Sequence, residues 1–553
     1  MRALWVIALL VLSSAAMGCS CSDGSGPTGD SGVRPDSPGV HCNDECVAAM
    51  PPGSPMGQQC CESTQMCVDY NVNDLCMPGF TCPAAMIMMD ASCHVTCGRC
   101  MERPPLNPGY LATDLDFVIT SAGDQFLSGY SPGNPPSTNY GDMVVATIPG
   151  GELGMIDWDI ADGAPATPIT AAPSGWRGGV AAPGDNVGLW TSIASSGTQL
   201  FVSYYDATHG ALRLAIGLPG DWRVQTVDDT GDAGRYSSLV LTASGAPAIA
   251  YLGYELDATT GAVHSQVRVA VASSAAPMAA ADWTISRIGD AASPCRPNLC
   301  GMGQRCLESG TCVMPTGTCA PACSATQACV AGTCTAALAA DYVEDLTPAH
   351  GLYTRLARTS AGLALVYYDR TEGNLYGVSA TGTTWGTPFL IDGYGRSDPS
   401  TGDSGQGASI FVDAADTWHV TYVDGAEEVL RYARIVAGAI TREVVDDGST
   451  SDGTMAYTDG RHIVGDDSSV VVVGGEVRVA YQDSTTERTM IARRSAAGAW
   501  THAVLDMGQH SGFWVEQELN TAGDQSFVAS WWIDRTGTMV TNGIHVTQVP
   551  AGP

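Results

Sequence analysis

The apolar positions of this chain fall in short alternating runs, and the runs recur. Residues 190–229 hold the clearest copy, in which WTSIASS, QLFVSYYD, ALRLAIG and DWRVQTVDD are β-type runs parted by tight turns. Alternation in the second run sets Val202 and Tyr204 on one face. Ile249 and Tyr251, Leu365 and Tyr367, Val420 and Tyr422, and Val479 and Tyr481 repeat the pair. A period of two punctuated by turn residues predicts antiparallel strands. Hairpins of this form at 200–217, 363–380, 418–435, 477–494 and, more loosely, 526–543 share a strand, an Asp-led turn and a second strand. Four such strands per repeat predict a propeller blade, whose faces are buried only against neighbouring blades. The aliphatic and tyrosine pairs should therefore pack between blades. Trp222, Trp283, Trp385 and Trp500 open the fourth run, with Ile440 in that place in one copy, and should cover the adjoining blade.

Unit starts repeat as well. GDNVGLWTSI (184–193), GDAGRYSSL (231–239), GLYTRL (351–356), GDSGQGASI (402–410) and VGDDSSV (464–470) each set a Gly-rich turn before a small hydroxylated pair and an aliphatic residue. With a divergent first copy around 125–148, the copies begin near residues 113, 190, 236, 353, 407, 467 and 513. The fold class expected is all-β, a seven-bladed β-propeller with two small disulfide-rich modules; the weak first and last copies leave six or eight blades open. Closing the ring removes strand edges that would otherwise invite aggregation. Residues 113–294 and 335–550 form the propeller, interrupted by an insertion at 295–334.

Cysteine is confined to two islands outside the repeats, apart from Cys19 and Cys21 near the start. Cys42, Cys46, Cys60, Cys61, Cys67, Cys76, Cys82, Cys93, Cys97 and Cys100 lie in 42–100. Cys295, Cys300, Cys306, Cys312, Cys319, Cys323, Cys329 and Cys334 lie in 295–334. Even counts in segments too small to hold themselves by burial predict disulfides, with the pairing open. Cys97 and Cys100 beside His94 have zinc-like spacing, against which a disulfide is the simpler reading. The insertion is a duplication, since 295–312 and 319–334 each read C-x(3,4)-C-x(5)-C-x(4,5)-C. That spacing resembles the short cysteine-rich modules of EGF-like and Dickkopf N-terminal type, and CHVTCGRC (93–100) faintly resembles the tail of ShK-type toxin domains. The resemblance implies stapled knobs and carries over no receptor or channel partner.

Disulfides fit an exported chain, and the first residues agree. MRALWVIALLVLSSAAMG (1–18) has Arg2, an apolar run from Ala3 to Leu12 and small residues before Cys19, which predicts a signal peptide too short to span a bilayer permanently. Ala16-Met17-Gly18-Cys19 resembles the bacterial lipobox. The resemblance implies a lipidated Cys19 and a place at the outer membrane or cell surface, with plain secretion as the other reading. Residues 19–41 read as a flexible tether and 101–112 as a Pro-rich spacer.

Charge and motifs narrow the function less than the fold. Acidic residues number 57 against 25 basic ones, for a net charge of −32, and no lysine occurs. So acidic a chain is unsuited to nucleic acid, and without lysine it has neither Schiff-base chemistry nor a phosphate-loop lysine. No G-x-S-x-G elbow or H-E-x-x-H helix is present. DATHG, DATTG and DRTEG, led by Asp206, Asp257 and Asp369, and DRTG, led by Asp534, resemble the Asp-box (BNR) hairpin of sialidase-like propellers. In that family the hairpin is structural, and Asx turns explain it without a ligand. The resemblance also implies three arginines, a Tyr with a partner Glu and an Asp acid at the central opening; Arg213, Arg268, Arg355, Arg431 and Arg478 are available by count. Asp228, Asp229 and Asp232, and Asp446, Asp447 and Asp452, sit in acidic turns that could hold Ca²⁺, with solvated turns as the competing reading. No motif assigns a catalytic role. The expectation is therefore a non-catalytic cell-surface scaffold, lipid-anchored to the membrane and needing no cofactor, that recognises a glycan or an envelope protein. The alternative is a sialidase-like glycoside hydrolase of the cell envelope.

Overall fold

Each repeat of the alternating pattern becomes one antiparallel sheet. The computed structural model describes residues 113–132, 141–148, 157–164, 184–256, 263–292, 303–307, 312–337, 349–394, 402–449, 461–506, 510–534 and 541–550, and short backbone strands between Met56 and Glu102. The chain divides into two compact units, residues 1–72 with 84–98 and residues 73–83 with 99–553. In the first, Met56–Cys61 pairs with Met66–Asn71 and Ile87–Met89 with Val95–Cys97.

The second unit is a seven-bladed propeller. The first strands of its blades are Thr113–Ile119, Val187–Ser196, Asp232–Leu241, His350–Arg358, Ser404–Val412, Val464–Val473 and Ser511–Leu519. Blades 1, 2, 3, 5 and 6 have four strands in simple up-and-down order. In blade 4 the outer edge is split between Thr384–Trp385 and Phe389–Gly393, and blade 7 has three strands, ending at Thr541–Gln548. Apart from one 3-10 turn, Ala280–Asp282, the described residues form strands, turns and connections.

The predicted inter-blade faces are the observed ones. Val202 and Tyr204 pack on Met143 and Val145 of blade 1, and Ile249 and Tyr251 on Leu212 and Leu214 of blade 2. Leu365 and Tyr367 meet Val267 and Val269; Val420 and Tyr422 meet Ala364 and Val366; Val479 and Tyr481 meet Leu430 and Tyr432. In four of the five the tyrosine hydroxyl reaches an aspartate at the end of the preceding blade's outer strand, which phenylalanine could not do. Tyr204 donates to Asp162 (2.7 Å), Tyr251 to Asp228 (2.7 Å), Tyr422 to Asp392 (2.6 Å) and Tyr481 to Asp446 (2.6 Å). Burial first, then the adjacent carboxylate, pushes all four phenols well above their ordinary range, so they remain donors. Trp222 and Trp500 cover the adjoining blade as expected, donating to Asp159 (2.6 Å) and Glu443 (3.1 Å).

The Asp-led turns are Asx turns. Asp206 accepts the backbone N–H of Thr208 (2.9 Å) and His209 (3.1 Å), and Asp369 those of Thr371 (2.9 Å) and Glu372 (3.4 Å). Asp424 and Asp483 repeat the arrangement in blades 5 and 6. Asp257 and the Asp534 side chain lie outside the described residues. The ring closes by packing of side chains, with Ala529 and Ile544 of blade 7 set among Leu115, Phe117 and Leu127 of blade 1. In the insertion, Cys319–Cys329 and Cys323–Cys334 are disulfides, Cys306 and Cys312 are also disulfide-bonded, and Leu307, Ala328 and Ala337 form a small core. Cys60, Cys61, Cys67 and Cys97 belong to the short backbone strands. Cys19, Cys42, Cys46, Cys76, Cys82, Cys93, Cys100, Cys295 and Cys300 lie outside the described residues.

Candidate functional site

The hydroxylated pair that recurs at each unit start builds two hydrogen-bonded belts around the central channel. In the first belt a hydroxyl donates to a backbone carbonyl of the preceding first strand: Thr191 to Asp114 (2.6 Å), Ser237 to Trp190 (2.7 Å), Thr354 to Tyr236, and Ser468 to Gly407 (3.2 Å). In the second belt the next residue accepts a backbone N–H from the following blade. Asp116 accepts from Ile193 (2.7 Å), Ser192 from Leu239 (3.0 Å), Ser238 from Leu356 (3.0 Å), Ser409 from Val470 (3.4 Å) and Ser469 from Gln517 (3.0 Å). Serine is replaced at three positions of this belt: by Asp116 in blade 1, which still accepts the N–H of the next blade, by Arg355 in blade 4 and by Glu516 in blade 7. A guanidinium cannot accept a hydrogen bond, so Arg355 breaks the latch outright.

The last two departures meet. Arg355 and Glu516 are three blades apart in a ring of seven, and Arg355 Nη2 donates to Glu516 Oε1 at 2.5 Å. They share a cavity of about 340 Å³ lined by first-strand residues from every blade, including Asp114, Trp190, Tyr236, Tyr353, Asp466, Asp467 and Trp514. Trp190, Tyr236, Tyr353 and Trp514 hold φ of 51°, 54°, 50° and 48°. Left-handed backbone at a bulky residue costs on the order of 1–2 kcal/mol, which is retained where the surroundings or function demand it. Blade 5 has Gly407 in this place, where no strain arises.

Burial, opposed by Arg355 and reinforced by Asp116 and Asp467, lifts the Glu516 carboxyl from its ordinary 4.5 to about 8. Glu518, two residues along the same strand, is raised by burial, Asp116 and Glu516 to about 8. Burial raises Asp467 and Asp116 as well. The two differ in their bonds. Asp116 accepts from Ser192, Ile193 and its neighbour Phe117, whereas Asp467 accepts the backbone N–H of Trp514 at 2.8 Å. Burial opposes the Arg355 charge, but Glu516, Asp116 and Asp467 outweigh it and hold its pKa above the usual value.

Of the five arginines considered from sequence, Arg355 is at the cavity and the other four serve the blades. Arg213 binds Asp162, Asp185 and Asp206; Arg268 binds Asp228 and Glu255; Arg431 binds Asp424; Arg478 binds Glu476. A three-arginine cluster is not assembled among the described residues that line the cavity. The acidic turns are engaged too: Asp228 with Tyr251 and Arg268, Asp232 with Tyr205 and Arg235, Asp446 with Tyr481, and Asp447 with Ser449. Asp452 lies outside the described residues. Glu516, Asp467, Asp116 and Glu518 were not among the sequence candidates. A signal for Glu516 lies in the sequence, since it stands, like Asp116 and Arg355, where blades 2, 3, 5 and 6 have serine.

No family model and no curated protein matches this chain. Among solved structures it is similar to the α-L-arabinanase of Penicillium chrysogenum, at 11% identity and TM-score 0.38 over 65% of this chain and 92% of that one. It is similar also to the GH93 α-L-arabinofuranosidase of Fusarium graminearum (11%, TM-score 0.37, 65% and 92%) and the NanB sialidase of Streptococcus pneumoniae (9%, TM-score 0.34, 80% and 70%). Likeness at this level transfers no residue role. The expectation that the chain is not an enzyme is corrected at its premise: it rested on nothing singling out a reacting group, and the Arg355–Glu516 pair removes that premise.

Proposed function

We infer that the central channel is the active site of a glycoside hydrolase. One observation carries the reading: the serine that latches successive blades gives way to Arg355 and Glu516, and the two meet in an aromatic-lined cavity. Where a repeat abandons its own packing rule, function is the usual reason. With its carboxyl raised to about 8, Glu516 keeps its proton at neutral pH and serves as the general acid that protonates the leaving glycosidic oxygen. Arg355 holds that carboxyl in place. Asp467, tied by one backbone N–H, is the second carboxylate, activating water or attacking the sugar; Asp116 is committed to joining blades 1 and 2. The disulfides of the insertion and the apolar leader support a site of action outside the cytoplasm.

A panel of aryl glycosides tests the reading. The intact chain should hydrolyse at least one, and Glu516→Gln should lower kcat/KM by about 100- to 10,000-fold with the melting temperature retained. A panel without turnover, or a Gln variant as active as the parent, overturns it.

A further inference from the structure

We propose that the channel takes an uncharged saccharide and rejects acidic ones, an inference that rests on the hydrolase reading and deepens it. Among the described residues lining the cavity Arg355 is the single cation, and it is the group that a sugar carboxylate or sulfate would need. Glu516 already holds it at 2.5 Å, and Asp116 and Asp467 act on the same guanidinium. An incoming anion would have to displace Glu516 while facing Asp466 and Asp467 in the same wall. Exclusion of the wrong ligand by unrelieved like charge is a common source of specificity.

What the cavity offers instead is aromatic surface. Trp190 and Tyr236 lie 4.9 Å apart between ring centroids, and Tyr236 and Tyr353 5.1 Å, so one arc crosses three successive blades. Trp514 adds a further ring from blade 7. Such faces bind apolar ring surfaces and demand no charge from the ligand. Arg355 therefore acts as a positioning residue for Glu516, and the pair as a bolt that determines substrate class.

Titration calorimetry on the full chain tests this with cellotriose, xylotriose and arabinotriose as neutral probes and sialyllactose and trigalacturonate as acidic ones. At least one neutral trisaccharide should bind about 100-fold more tightly than either acidic one. Glu516→Ala, which removes the oxygen that occupies Arg355, should gain about tenfold in affinity for an acidic probe, and Trp190→Ala should lose about tenfold for the neutral one. The comparison of probes on the unaltered chain needs no variant. Equal or tighter binding of an acidic probe, failure of all three neutral probes, or a Glu516→Ala variant with unchanged acidic affinity overturns the proposal. Hydrolysis of an acidic glycoside would sink the substrate class and leave the hydrolase standing. Neutral binding with no hydrolysis of any glycoside would do the reverse.

Discussion

A hydroxyl decides the residue that recurs at the blade interface. Phenylalanine would fill the space of Tyr204, Tyr251, Tyr422 and Tyr481, but the aspartate at the end of the preceding blade would lose one of its donors. Asp392 is fully buried; Tyr422 donates to its Oδ2, while the backbone N–H of Gly393 reaches Oδ1 at 3.0 Å. Tyr422→Phe should therefore cost about 1–3 kcal/mol, the price of a buried acceptor left wanting, in urea unfolding of the full chain. A change below about 0.5 kcal/mol would show that the phenol contributes by volume alone. The tyrosine columns were legible from alternation, since a period of two fixes which residues share a face. Their aspartate partners were not: Asp228 and Asp446 read as acidic turns, and nothing local says that a carboxylate is reached from the next blade.

At the scale of the strand, the small hydroxylated pair was visible as a motif while its purpose was hidden. Ser192 and Ser238 work by accepting an N–H from a strand dozens of residues away, a relation that exists only once the sheets stand side by side. Arg355 was one of five equal arginines for the same reason, and Glu516 sat in the weakest copy, where VEQ replaces the serine-bearing triplet. The cysteine modules were legible as even-numbered, duplicated islands, but their pairing was left open, since spacing alone does not select it. Cys319–Cys329 and Cys323–Cys334 join first to third and second to fourth in the second half of the duplication. The first half should repeat this as Cys295–Cys306 and Cys300–Cys312. Peptide mapping without reduction should recover these two linkages, and a Cys295–Cys300 or Cys306–Cys312 peptide would refute the equivalence.

Across the whole molecule, seven sheets place seven first strands around one axis, and side chains from opposite blades can meet there. Arg355 and Glu516 do so, and the rest of the ring supplies the low-dielectric wall that lifts the Glu516 carboxyl. The ring thereby turns residues far apart in sequence into one acid poised near neutrality. Below its pKa the carboxyl carries the proton that the reaction needs; above it the proton is gone. The pH dependence of kcat/KM on the most readily hydrolysed aryl glycoside addresses the central claim most directly. The account predicts activity that falls as pH rises through about 8, with that limb absent from the residual activity of Glu516→Gln. A limb that persists unchanged in the Gln variant, or activity level from pH 6 to 9 in the parent, about two units of pH below and one above the expected value, would contradict it.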